Sequence, residues 1–362
     1  MKKAYLNVLT IGKSGVGKSS LVNYLFDTTK CKTGSGEPQT KKLFETISYN
    51  YSKELVLRLT DTKGLEPKEY EKWLENITEN ITEKEKSGIR EQYHAILYCI
   101  NAGADRIEDS ELKIVSELSE LFPIGIVLTH CIKNKKKESI QGIKKALVSS
   151  GINKKNIFEV CNVNGKLISG EILEQFGKEE LLKYISSCFS KKICASLPRD
   201  LEFIVDEQID DYKKDCYIVI DNEIKIINFR SNKNKKAIEE KIIKLLQMCH
   251  DSIDERFVTE ENEIIRMYQT IYNSFFSPAL ISPEEEIEIP IFLQQNLKDI
   301  MSENVTAALI AFIPAAVFFL PHMLTEMQKG ECKKKVDEAF VSLKEFEVQK
   351  INKISEIYTI ND

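Results

Sequence analysis

Gly12-Lys13-Ser14-Gly15-Val16-Gly17-Lys18-Ser19-Ser20 follows directly on an apolar, β-branched run at residues 5–11 and leads into the apolar start Leu21-Val22-Asn23-Tyr24-Leu25-Phe26. Strand, glycine loop and helix start, in that order, leave few folds open. Glycines let successive backbone N–H groups turn inward around a phosphate, and the N-terminus of the following helix adds the positive end of its dipole. The G-x-x-x-x-G-K-S spacing puts Lys18 in reach of β- and γ-phosphates and the Ser19 hydroxyl on a magnesium ion. A tight strand-to-helix turn would explain the glycines but not the lysine and serine behind the last one. Gly12, Ser14, Gly15, Val16, Gly17, Lys18, Ser19 and Ser20 are therefore the candidate phosphate cradle.

The next runs of this kind fall at residues 55–60, 95–100, 124–129 and 157–163, separated mostly by stretches of helical spacing such as Ile107, Glu111, Ile114, Val115, Leu118 and Leu121. Parallel strands need crossover connections, so the alternation predicts an α/β domain: a mostly parallel sheet sandwiched by helices. Residues 42–51 read as a further strand, antiparallel to 55–60 across the Ser52-Lys53 turn. The sheet unit ends near Lys192. After Pro198 the apolar residues recur in threes and fours: Leu201, Val205, Tyr212, Cys216 and Val219, with a helix preferred over a hairpin at 217–229. Later stripes run through Ile238, Ile242, Leu246, Cys249, Ile253 and Phe257, through Ile264, Met267, Tyr268, Ile271 and Phe275, and through Val336, Phe340, Leu343 and Ile351. The expected organisation is a sheet domain over 1–192 and an all-helical domain over 193–362, with a proline-containing acidic loop at 277–290.

Phosphate loops serve ATPases, kinases and GTPases alike. Asp61-Thr62-Lys63-Gly64 closes the second parallel strand; an acid there holds the magnesium water shell, and Gly64 offers its N–H to a γ-phosphate. Between the two motifs, Gly34-Ser35-Gly36-Glu37-Pro38-Gln39-Thr40 forms a loop whose threonine can cap the ion. Thr40 is the preferred residue, with Thr46 and Thr33 as rivals. Ser19, Thr40 and Asp61 make the expected magnesium set, and Lys18 and Thr40 the expected catalytic pair.

This order of loop, threonine and DTKG resembles the small-GTPase-like superfamily, and within it the Era-type, septin-like, immunity-associated and chloroplast-receptor branch; GKSGVGKSSLVN, DTKGL and LYCINAGADRIEDSEL carry the likeness over residues 1–190. The resemblance implies a P-loop G domain that binds GTP or GDP with Mg²⁺ and hydrolyses GTP. The family's base-reading [NT]KxD box departs here to Thr129-His130-Cys131-Ile132. Relatives with a Thr-His pair imply base packing by Thr129 and His130 and a base contact from the later Asn162. Leu65 stands where many relatives carry a water-orienting glutamine, so basal turnover is expected to be slow. The resemblance implies stimulation by a partner or by a homodimer through the G domain, with Arg58, Arg90 and Arg106 as candidate charge stabilisers.

Composition trims the alternatives. Net charge is −5, with 42% hydrophobic and 30% charged residues, which suits folded cores; only seven arginines occur, spread along the chain, so no nucleic-acid partner is expected. Nine cysteines without CxxC or Cys/His metal spacing read as buried thiols of a reducing compartment, and no signal peptide is expected after Met-Lys-Lys. Residues 304–325 carry no formal charge, and VTAALIAFIPAAVFFLPHML has the length that crosses a bilayer. Pro314 and Pro321 favour a hairpin or kinked helix dipping into one leaflet, with Lys333-Lys334-Lys335 on anionic headgroups; a buried bundle helix is the other reading. A location in the cytoplasm, or peripheral or integral on the cytoplasmic side of a membrane, accommodates both. Two functions stay open: a GTP-hydrolysing switch whose nucleotide state repositions the helical domain, or a nucleotide-binding scaffold that hydrolyses little. A small-molecule kinase is a third, weakened by the lack of an arginine-rich lid.

Overall fold

The computed structural model describes residues 3–29, 43–63, 70–104, 106–132, 137–166, 172–224, 232–275 and 325–359. Thr33, Thr40, Gly64, Leu65, the loop at 277–290 and all of the uncharged run except Thr325 lie outside the described residues. Two compact units emerge: residues 1–193 with 266–285, and residues 194–265 with 286–362.

The first unit is built on six strands, β1 (Ala4–Gly12), β2 (Phe44–Asn50), β3 (Leu55–Thr62), β4 (Ala95–Asn101), β5 (Ile124–Thr129) and β6 (Ile157–Glu159), in the order β2-β3-β1-β4-β5-β6. All neighbours are parallel except β2, which runs antiparallel to β3 with Thr46 opposite Thr60 and Asn50 opposite Val56. The helices are α1 (Lys18–Leu25), α2 (Tyr70–Glu85), α3 (Asp109–Leu121) and α4 (Lys137–Ser149), followed by a short β7–β8 hairpin (Gly165–Lys166, Ile172–Leu173). Central strands read as continuous apolar runs because both faces are covered. On one face Leu9, Ile11, Ile96, Tyr98, Ile100, Ile126 and Leu128 share a core with Trp73 and Ile77 of α2, Ile114 and Leu118 of α3, and Ile143 and Leu147 of α4. On the other face Gly125 lets α5 (Lys178–Glu223) lie close: a Cβ there would sit 2.5 Å from a Tyr184 ring carbon.

One reading from the spacing meets a different backbone. The fifth parallel strand stops at Glu159 instead of running to residue 163. His130 takes a left-handed φ of 58°, which ends β5, and Cys161 turns away to form an antiparallel bridge with Phe176. Pro198, after which the apolar spacing changes, lies inside α5, which runs through it. Residues of α6 (Asn232–Phe275) from Arg266 onward belong to the first unit, where Tyr268 faces Phe189 at 6.2 Å between ring centroids and Phe275 meets Phe26 and Tyr51 at 5.7 and 5.1 Å.

The second unit is helical. It holds α5 from Cys194, α6 up to Ile265, and α7 (Thr325–Thr359). Ion pairs fix their directions. Lys344 pairs with Asp206, Lys213 with Asp337 and Lys333 with Asp221, so α7 descends as α5 ascends; Glu207 with Arg256 and Glu223 with Lys241 do the same for α6. Leu201, Val205, Cys216 and Ile220 of α5, Leu246, Ile253 and Phe257 of α6, and Val336, Phe340, Leu343 and Ile351 of α7 are buried, as the threes and fours of their spacing require. Among the described residues, no helix is long and apolar enough to cross a membrane.

Candidate nucleotide site

The sheet's parallel strands deliver their carboxyl ends to one edge, where α/β folds carry ligands. The glycine loop leaves β1 there. Gly12, Gly15 and Gly17 take φ of 139°, 76° and 93°, open to glycine and strained for other residues. Gly12 also has no room: a Cβ would stand 2.4 Å from the Cys99 carbonyl oxygen of β4. The helix that follows begins without any side-chain cap at Gly17, so its first N–H groups are left to whatever the loop encloses. Ser14 and Gly15 are exposed at the tip, while Val16 is buried and anchors it.

Lys18 is buried to 7% exposure and folds back over the loop, donating to the carbonyl oxygens of Gly12 at 3.1 Å and Lys13 at 3.0 Å. Burial holds its ammonium below the usual lysine value, an effect that the nearby Asp61 carboxylate opposes. Ser19 Oγ donates to Asp61 Oδ2 at 2.6 Å, joining the first turn of α1 to the end of β3. Thr10 Oγ1 lies 3.3 Å from both Asp61 Oδ1 and the Thr60 carbonyl, and Thr62 Oγ1 donates to the Thr10 carbonyl at 3.0 Å. Lysine, serine and aspartate, distant in sequence, thus converge on one corner.

A second group of residues closes the opposite side of the loop. Thr129 is buried at the end of β5, and its hydroxyl reaches the carbonyl oxygens of Val16 at 2.6 Å and Ile100 at 3.1 Å. His130 follows with Nδ1 3.1 Å from that hydroxyl, and its ring is the nearest obstacle to any side chain at Gly17. Asn162 sits just past β6 at the same edge, its carbonyl accepting from Gln175 Nε2 at 3.0 Å; Asn164 is tied to Gln175 by two hydrogen bonds. Ser20 is half-buried in the first turn of α1. Thr46 is exposed on the edge strand β2, its hydroxyl 2.9 Å from that of Thr60.

Several participants had no role assigned from the sequence. Thr10 and Cys99 look like ordinary strand residues, and Thr62 appears only as a member of the Asp61–Gly64 motif. Lys13, the second residue of the loop, pairs with Glu108 at 2.9 Å and with buried Glu111 at 3.1 Å at the start of α3. Burial pulls the Lys13 ammonium down, but the hydrogen bonds and charges of the two carboxylates outweigh it and raise its pKa. Burial raises that of Glu111, whose Oε1 has no hydrogen-bond partner.

The order of strands, the loop and its acid partner give the first unit the fold of a P-loop G domain. Residues 7–158 match the family model described as 50S ribosome-binding GTPase. Translocase of chloroplast 108 and Translocase of chloroplast 101 of Physcomitrium patens are 29% and 28% identical over 130 residues, 34% of this chain but only 13% and 14% of theirs. Among solved structures, Toc33 from Arabidopsis thaliana in complex with Mg²⁺ and GMPPNP is 19% identical with a TM-score of 0.37, covering 52% of this chain and 86% of that one. The septin GTPase domain of Chlamydomonas reinhardtii is 17% identical with a TM-score of 0.38, covering 53% and 97%.

Proposed function

We propose that the chain binds GTP and GDP with Mg²⁺ in the glycine loop and hydrolyses GTP slowly, with acceleration by a second copy of itself. The observation that carries this reading is the Ser19–Asp61 hydrogen bond: it holds together the two groups that a nucleotide-bound magnesium ion would use, one as ligand and one through water. Lys18 is covered and turned onto its own loop, ready to exchange two carbonyl contacts for phosphate oxygens. Thr40 and Gly64 complete the set in this proposal, capping the ion and the γ-phosphate. His130 and Asn162 face the base, and Thr129 acts through the loop it holds.

Topology supports one of the three arginines over the other two in this proposal. Arg58 lies in register with Asn7, ion-paired to Glu91 at 2.8 Å and 4.0 Å above the Tyr5 ring, and Arg90 precedes β4; both belong to the far side of the sheet. Arg106 follows β4 at the loop side and is exposed. It is the residue that a second copy can receive. We place the protein on the cytoplasmic side of a membrane or free in the cytoplasm, a reading supported by seven free cysteines among the described residues, six of them buried. Residues 304–325 are the candidate membrane contact.

The test is binding of GTP, GDP and ATP side by side, with phosphate release followed as protein concentration rises. Turnover per molecule should climb with concentration, and Arg106→Ala should abolish the climb while leaving GTP affinity intact. Equal affinity for ATP and GTP would overturn the base assignment, and turnover independent of concentration would overturn the stimulation. GTP binding with no phosphate release at any concentration favours the scaffold reading.

A further inference from the structure

The helical unit carries a polar cluster within its apolar faces. His250 and Asp254 stand one turn apart on α6, and Glu347 and Lys350 one turn apart on α7, among buried Cys249, Ile253, Leu343 and Ile351. Glu347 is fully covered. Its Oε1 lies 2.7 Å from His250 Nδ1, while Oε2 is buried without a hydrogen bond, 3.3 Å from Lys350 Nζ but outside hydrogen-bonding geometry. Lys350 donates instead to Asp254 Oδ1 at 2.8 Å, and Asp254 Oδ2 is 3.5 Å from His250 Nε2.

Stability alone is a poor account of this arrangement. Apolar side chains of similar volume commonly serve a helix interface as well as a buried ion pair does, and a covered carboxylate oxygen without a donor is a cost. The same atoms form a ligand set. One nitrogen of His250 and one oxygen each from Asp254 and Glu347 lie within 4.8 Å of one another, close enough for small side-chain rotations to bring them onto one ion with bonds of about 2.0–2.2 Å. The spacing of four on α6 presents His250 and Asp254 on one face, and the 28% exposed Asp254 side chain opens a route from solvent. Lys350 holds the cation's place now. Its Nζ is also 5.1 Å from the Phe346 ring centroid, a face on which an ammonium displaced from the carboxylates can rest.

We propose that His250, Asp254 and Glu347 bind one divalent transition-metal ion, exchanging it for the Lys350 ammonium and fastening α6 to α7. One imidazole with two carboxylates suits zinc, which accepts nitrogen and oxygen donors in four-coordinate sites. The site is separate from the magnesium position proposed for the nucleotide and does not depend on it.

Full-length protein, stripped with chelator and desalted, is titrated with Zn²⁺ alone, with Mg²⁺ as a control for the nucleotide site. One zinc per chain is expected. Asp254→Asn should weaken it at least tenfold, the low end of the roughly 10–100-fold loss that follows removal of a mere outer-shell partner, and Lys350→Met should tighten it. Glu347→Gln should also weaken it, but its buried position can impair folding, so Asp254→Asn with an unchanged helical circular dichroism spectrum is the deciding variant. Zinc bound equally well by wild type and Asp254→Asn would mean thiol ligation and overturn the proposal. So would the absence of zinc binding by the wild type, which would leave the cluster an ion-pair network.

Discussion

Inside the first unit, both ring nitrogens of His94 are engaged by the backbone. Nδ1 accepts the Asn7 N–H at 3.1 Å, so the proton sits on Nε2, which faces the Ile89 carbonyl at 2.7 Å. Desolvation, aided by Lys192 and Arg58, pushes its pKa down to about 4 against the opposing Ile89 bond. The unfolded chain therefore binds a proton that the folded chain refuses. Stability should be full above the unfolded value near 6.5, fall as pH drops from there, and level off below about 4, by ~3 kcal/mol in all. Trp73, the only tryptophan, is buried in α2 with its Nε1 on the Lys63 carbonyl and reports on this unit. Urea unfolding followed by Trp73 fluorescence at pH 7 and pH 4.5 should show the loss, and His94→Gln should flatten it. At this scale, legibility tracks chemistry. Lys18, Ser19 and Asp61 announce themselves because phosphate and magnesium demand those types at those spacings. Thr129 on the Val16 carbonyl, or Lys13 on Glu111, depends on partners brought in from distant strands and helices, and a threonine ending a strand reads first as a strand former.

Among the elements, α5 departs furthest from its sequence. Proline lacks the N–H that would bond the Cys194 carbonyl, and its ring crowds that carbonyl, at a cost of about 3 kcal/mol in a helix interior. The helix persists because residues on either side bury Leu197 and Leu201 to 2% and 0% exposure. Pro198→Ala should then stabilise the chain, by up to about 3 kcal/mol, seen as a higher urea midpoint. An unchanged or lowered midpoint would show that the proline relieves a strain that the helix otherwise carries. The strands were easier to read. Their β-branched runs and the Ser52-Lys53 turn mark β1 to β5 closely, because central strands covered on both faces and a hairpin leave unambiguous patterns. Where β6 ends and where α3 stops packing escape the pattern, since Leu121 continues the apolar spacing yet is 59% exposed. Periodicity records which face is apolar, not how far the neighbouring element extends.

For the whole molecule, the two compact units do not follow the order of the chain. Arg266 to Phe275 join the first unit through Met267, Tyr268 and Ile271, all buried. Tyr268→Ala should lower the unfolding transition that Trp73 reports by about 3 kcal/mol, the usual scale for an aromatic truncated in a core. A transition unmoved at Trp73, with only helical circular dichroism affected, would assign those residues to the helical unit instead. The sequence could not show this. The stripe through Ile264, Met267, Tyr268 and Ile271 looks the same whichever partner covers it.

That returning segment also sets a schedule for synthesis. The chain emerges from the ribosome at roughly 5–20 residues per second. Residues 1–193 are complete well before residue 275 appears, and all of residues 194–265 must be made in between. For those seconds the nascent sheet unit waits with Phe26 and Phe189 missing the rings that later meet them. This is the interval in which a chaperone, or a bound nucleotide, has most to contribute.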